Sequence, residues 1–163
     1  MNFTVRHAVP DDTPLILSFI RELAEYEKLQ DDVTATEEIL RKSLFEEHQA
    51  EVIFGEVDGT PISFAVYFFN FSTFSGKHGL YLEDFYVRPD YRGKGIGTRM
   101  FEYLAKLALD KDCASFRWWC LDRNKHSIAF YEKMGAQPMS DWTVHVIHGQ
   151  ALRYLSSCAK EIL

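Results

Sequence analysis

Three glycines fall within five residues in the stretch Arg92-Gly93-Lys94-Gly95-Ile96-Gly97-Thr98. Glycine tolerates positive φ and lets a ligand approach the main chain. If a helix starts here, its first amides face outward and its dipole favours an anion. Arg92 and Lys94 add formal positive charge. These residues predict a seat for a phosphate or pyrophosphate; a plain tight turn is the alternative. A P-loop does not fit, because no Gly-Lys-Ser/Thr follows. A dinucleotide fingerprint does not fit either, since the glycines run G-x-G-x-G in mid-chain. The second chemical feature is Glu83-Asp84, which interrupts an apolar, aromatic stretch from Leu80 to Val87. Neighbouring strand residues point to opposite faces. If helices cover both faces, at least one carboxylate points inward and needs a partner, a proton or a function. A strand end with both acids solvated is the alternative.

The elements that must hold these residues can be read from periodicity. Phe3 to His7 alternates and predicts a strand. Asp11 or Asp12 caps a helix with Pro14 in its first turn, running to about Leu29 through Leu15, Ile16, Phe19, Ile20 and Leu23. Thr34 with Glu37 matches a capping box ahead of a second helix carrying Ile39, Leu40, Leu44 and Phe45. Val52 to Val57, the turn Asp58-Gly59 and Ile62 to Phe71 predict a hairpin. After a loop from Ser72 to Gly79, Leu80 to Val87 is a further strand. Pro89 to Gly95 is a loop, followed by a helix to about Lys111. Ser115 to Leu121 is a strand, and Asn124 caps a helix through Met134 that Gly135 ends. Trp142 to His148 reads as a last strand and Gln150 to Ile162 as a last helix. Hairpins first and β-α-β crossovers later predict an α/β fold, one mixed sheet covered by helices. A single domain over residues 1–163 is expected.

The chain has 163 residues, of which 47% are hydrophobic, enough for a real core and too many for a disordered chain. Its formal net charge is −6. That excludes a protein acting chiefly through a nucleic-acid backbone, which needs clustered positive charge. The charge is uneven: residues 22–58 hold twelve acids against three bases, and residues 88–133 hold ten bases against six acids. The segments suit a cation and an anion respectively, or are ordinary solvated helix faces. The three cysteines, Cys113, Cys120 and Cys158, match no zinc spacing and predict a reduced, cytoplasmic protein. His145 and His148 face opposite sides of a strand and do not predict a metal pair. No secretory leader is visible in Met1 to Pro10, and the longest apolar run is too short to cross a bilayer.

Taken with their neighbours, these residues resemble a family. Arg92 to Gly97 matches the R/Q-x-x-G-x-G/A acyl-CoA signature of the GNAT (Gcn5-related) N-acetyltransferases. Glu22 to Glu27, Tyr81 to Val87 and Phe130 to Ala136 resemble the diamine and polyamine (spermidine/spermine) acetyltransferases and their thialysine-acetylating relatives. The resemblance implies a mixed sheet with a splayed parallel strand pair. It implies acetyl-CoA as co-substrate and no metal. The cofactor's pyrophosphate would sit on Arg92, Gly93, Lys94, Gly95, Ile96, Gly97 and Thr98. Its pantetheine arm would pair with Phe85, Tyr86 and Val87, and Asn124 and Ser127 would touch it. A small-molecule primary amine is the implied acceptor and a homodimer the implied assembly, with no nucleic acid or membrane as partner.

By the same resemblance, Glu83 is a substrate acid beside the acyl carbon and Tyr131 the general acid. An alkyl amine has a pKa of about 10.4, so a carboxylate that collects it and relays its proton is chemically apt. A tyrosine, with a pKa of about 10, stays protonated and can donate to a departing thiolate. Helical spacing alone would make Tyr131 a core aromatic. The oxyanion would meet a backbone amide near Phe85 or Tyr86. Tyr26, Glu27, Asp84, Arg117, Trp118 and Trp119 match substrate-lining positions. Arg117 disfavours a long polycation and raises thialysine, lysine-like amino acids or other small amines. A protein lysine or N-terminal acetyltransferase and a non-catalytic acyl-CoA-binding module are the rival functions.

Overall fold

The computed structural model describes residues 2–159. They divide into two compact units, Met1–Leu121 and Asp122–Leu163. The first unit is a five-stranded sheet in simple order: β1 (Phe3–His7), β2 (Glu51–Val57), β3 (Thr60–Ser72), β4 (Lys77–Val87) and β5 (Phe116–Trp118). All neighbours are antiparallel except β4 and β5, which are parallel. Asp58 and Gly59 both take positive φ, 50° and 80°, and so close the β2–β3 hairpin tightly.

Alternation along these strands fills both faces of the sheet. Phe54, Phe64, Val66 and Tyr86 lie on one face, where helix α1 (Thr13–Glu27) brings Ile16 and Phe19 against them. Phe19 stacks on Phe64 with ring centres 5.1 Å apart. Helix α3 (Ile96–Asp110) covers the other face. Its Phe101 packs on Phe85 at 4.9 Å and on Phe116 and Trp118 at 5.4 and 5.2 Å. Met100 of α3 lies so close to Gly55 that an added Cβ would meet its sulfur at 2.8 Å.

Helix α2 (Glu37–Arg41) begins later than its capping-box pattern suggests. Thr36, not Thr34, has the extended backbone of an N-cap, and its hydroxyl accepts the Ile39 amide at 3.2 Å. The helix then widens into a π-turn over Lys42–Glu46. The β3–β4 hairpin is longer than expected, with pairing extended to Ser72 and Lys77.

In the second unit, helix α4 (Lys125–Lys133) starts at Asn124, whose Oδ1 accepts the Ser127 amide at 3.2 Å. Gly135, at φ 89°, closes it, and the Ala136 amide returns to the Tyr131 carbonyl. Helix α5 spans Gly149–Ser157. The expected extension to Ile162 lies outside the described residues. Trp142 to His148 is not a strand. A strand needs a partner, none is paired to this segment among the described residues, and Trp142, Val144 and Val146 are exposed.

Candidate active site

The glycine-rich turn has the backbone its composition predicts. Gly93 and Gly95 take φ of 70° and 77°, and a Cβ added at either would meet nothing within 4 Å. The turn is open on its outer side. Gly95 is the N-cap of α3 and offers no side chain to its amides, so Ile96, Gly97 and Thr98 start the helix without a side-chain cap. Lys94 lies over the Tyr91 ring at 5.3 Å. Arg92 is turned inward: its Nε donates to the Val87 carbonyl at 2.8 Å, and its guanidinium lies over the rings of Tyr26 at 4.5 Å and Tyr86 at 5.2 Å. Arg92 thus contributes main chain to the turn, while its charge ties the turn to the end of α1.

β5 accompanies the strand feeding this turn over only part of its length. Pairing of β4 with β5 ends at Leu82 and Trp118, although β4 continues through Glu83–Val87. The Arg88 amide donates to Ile62, so Arg88, Tyr86 and Asp84 are the hydrogen-bonded partners of β3. Phe85 and Val87 then direct their backbone groups to the opposite edge, where β5 has diverged. Of the three residues expected to pair with an extended arm, Tyr86 is the exception. Its backbone is turned to β3, and its ring is buried against α1. The edge fits an arm of alternating amide groups, and its Val87 carbonyl is already engaged by Arg92.

The divergence begins at a β-bulge. Val66 faces Asp84 and the next residue, Tyr67, faces Leu82, so Glu83 is an extra residue in β4. A bulge bends the strand and re-aims its side chains. Tyr81 and Asp84, three apart, come to lie on the α1 face together, while Leu82, Phe85 and Val87 face α3. The inward carboxylate is therefore Asp84, which is half-buried, whereas Glu83 is exposed at the bend. Burial first, then the charges of Glu83 and Glu27, raise the Asp84 carboxyl from 3.8 to about 6. Glu27 is the last residue of α1, where the helix ends in a left-handed Lys28. Its terminal carbonyls add partial negative charge to this corner.

An aromatic wall adjoins these acids. The Tyr81 ring packs on Phe68 at 5.0 Å and meets Trp119 edge-on at 5.8 Å. Burial and the Glu83 charge push the Tyr81 hydroxyl up to about 12, so it stays neutral. Tyr81 and Phe68 were not visible as site residues in the sequence. Simple alternation places Tyr81 with Glu83, and only the bulge places it with Asp84. Glu27, Glu83 and Asp84 share the corner where β5 diverges, with Trp119 against Tyr81 and Arg117 in register with Tyr81, whereas Tyr26 lies further along, against Tyr86 and Arg92. Trp118 is on the far face, against Phe101. Two other acids of the 22–58 segment are structural: Glu22 accepts two hydrogen bonds from Arg88, at 2.8 and 3.1 Å, and Glu56 accepts one from Arg6 at 2.6 Å.

Asn124, Ser127 and Tyr131 belong to the second unit. The cap joins Asn124 to Ser127, and Tyr131 lies on α4 near its C-terminal end, with its ring against Phe130 at 5.4 Å. Among the described residues there is no group of three His, Cys, Asp or Glu able to hold a metal. Nor is any helix among them long and apolar enough to cross a membrane.

A mixed sheet with a diverging parallel pair, and a glycine turn after the longer strand, define an acyltransferase scaffold. The model of the acetyltransferase (GNAT) family matches residues 16–136, and the chain belongs to that family. The expectation of an amine N-acetyltransferase is borne out at that level, and the family uses acetyl-CoA. The chain is 40% identical to a thialysine N-epsilon-acetyltransferase of Sus scrofa, over 93% of its own length and 96% of the relative's. It is 34% identical to a human spermidine/spermine N(1)-acetyltransferase-like protein, over 85% of this chain and 21% of that one. Among solved structures, an integron cassette protein from the mobile metagenome of V. cholerae superposes with a TM-score of 0.80 at 26% identity, covering 96% of this chain and 98% of the other.

Proposed function

We propose that the protein transfers an acetyl group from acetyl-CoA to the primary amine of a small molecule, by direct attack within a ternary complex. The observation that carries this is the carboxylate pair at the β4 bulge, where β5 diverges and β4 runs on into the anion-ready turn. Bound acetyl-CoA supplies an activated thioester carbonyl. The main chain of Phe85 and Val87 would hold its arm, and the turn from Arg92 to Thr98 its phosphates, with Asn124 and Ser127 as further contacts. The outward position of the Phe85 amide makes it the candidate for the oxyanion. Glu83 and Glu27 draw in the ammonium group. Asp84, with a carboxyl near 6, is matched to hold and pass on a proton at neutral pH. Tyr131 takes the acid role on the strength of its match to the family motif, and returns a proton to the departing thiolate.

Thialysine or a lysine-like amino acid is the favoured acceptor, because the strong matches to thialysine acetyltransferases extend over nearly the whole chain. One functional domain is proposed, since the family match runs from the first unit into the second. A cytoplasmic homodimer working without metal completes the proposal. The test is a panel of amines (thialysine, lysine, ornithine, putrescine, spermidine, spermine) with acetyl-CoA, following released thiol. Coenzyme A binding without thiol release above background on any amine would overturn the enzyme assignment and favour a binding module.

A further inference from the structure

The amine corner holds three acids, and Arg117 lies on the same face of the sheet. Phe116 and Trp118 pack on Phe101, so Arg117 between them points to the other face of β5, the α1 face. There its register partner is Tyr81, and Tyr81 shares this face with Asp84. Arg117 is exposed and makes no ion pair among the described residues, although Glu27, Glu83 and Asp84 are all on this side. The other arginines near the corner are committed: Arg92 to Val87 and two tyrosine rings, Arg88 to Glu22 and Pro61.

Spacing gives the pattern its meaning. Strands lie about 4.8 Å apart and rise about 3.3 Å per residue, so Arg117 and Asp84 are anchored roughly 10 Å from each other. Both side chains project from the same face of the sheet, on either side of the row that holds Tyr81. A guanidinium and a carboxylate set apart on one face complement a molecule with a carboxylate at one end and an ammonium at the other. The wall of Phe68, Tyr81 and Trp119 offers apolar surface to the stem of such a molecule. A diamine of the same length would set a second ammonium against Arg117, a like-charge contact that costs binding.

Resting on the proposed acetyltransferase reaction, we infer that Arg117 binds the α-carboxylate of an amino-acid acceptor, making it the residue that selects amino acids over simple diamines. A charge-assisted pair of this kind is directional, and a guanidinium can hold a carboxylate through two bonds.

The test compares two acceptor pairs that differ only in the carboxylate: thialysine with its decarboxylated diamine, and lysine with 1,5-diaminopentane. The native enzyme should favour each amino acid by about tenfold or more in kcat/KM, mostly through KM. Arg117→Met should bring that ratio close to one, and Arg117→Lys should restore part of it. A merely structural Arg117 would instead lower both members of each pair together and raise KM for acetyl-CoA. Equal kcat/KM for both members of each pair in the native enzyme, or a preserved ratio in Arg117→Met, would overturn this inference alone. No turnover with any amine would overturn both it and the reaction it rests on.

Discussion

Replacing Asp84 by Asn should stabilise the protein and weaken its activity, and the gain should depend on pH in a defined way. The Asp84 carboxyl is raised from 3.8 to about 6 by burial and by Glu83 and Glu27. The unfolded chain ionises it at its ordinary value, so the folded state carries a penalty for the charge. No penalty exists below about pH 4; it grows as pH rises and is complete above about pH 6. At about 1.4 kcal/mol per tenfold change in proton affinity, the full penalty is about 3 kcal/mol at pH 8 and about 1 kcal/mol at pH 4.5. Asn removes the ionisation but still buries an amide, a cost that does not vary with pH. The stability difference between variant and native protein should therefore widen by about 2 kcal/mol from pH 4.5 to pH 8. For a chain of this size that is about 4–8 °C in Tm. Thermal or urea unfolding at the two pH values, read by circular dichroism, measures it. A difference that is the same at both pH values, or a less stable variant at pH 8, would refute a buried, elevated Asp84. The activity arm asks for a rise in amine KM or a fall in kcat.

Two further outcomes follow from particular residues. Tyr131→Phe should keep the fold and lower turnover by about a hundredfold or more, since a general acid contributes on that scale; native turnover in a stopped thiol assay would remove Tyr131 from the chemistry. Thr36→Ala should cost about 1 kcal/mol in urea unfolding through loss of the α2 cap, while Thr34→Ala should cost almost nothing; equal losses would move the cap to Thr34.

Signals carried by a few adjacent residues were legible before the structure was known. The Asp58-Gly59 hairpin, the glycine turn before α3 and the Asn124 cap all require local chemistry that the sequence displays. What depends on a distant partner was not. The β5 strand was expected from Ser115 to Leu121 but spans only Phe116–Trp118, because its length is set by where β4 turns away. The alternation in Trp142 to His148 looks like a strand, yet alternation cannot supply a neighbour. At the site, the acidic pair was readable as a functional oddity. Which member faces inward was not, because that depends on the bulge at Glu83.

That bulge makes the strand fragile in one respect and tolerant in another. Most positions in Glu83–Val87 can be substituted at the cost of one side chain. Deleting Glu83, the extra residue, would only remove the bulge, but deleting Phe85 or Tyr86 shifts the parity of the segment, exchanging its inner and outer faces. Val87, now packed toward α3, and Asp84, now under α1, would trade surroundings, and the edge presented beside β5 would carry the wrong backbone groups. Natural variation in this stretch is therefore expected to run through replacement at fixed length, with gain or loss of residues displaced to the turn at Thr73–Gly76.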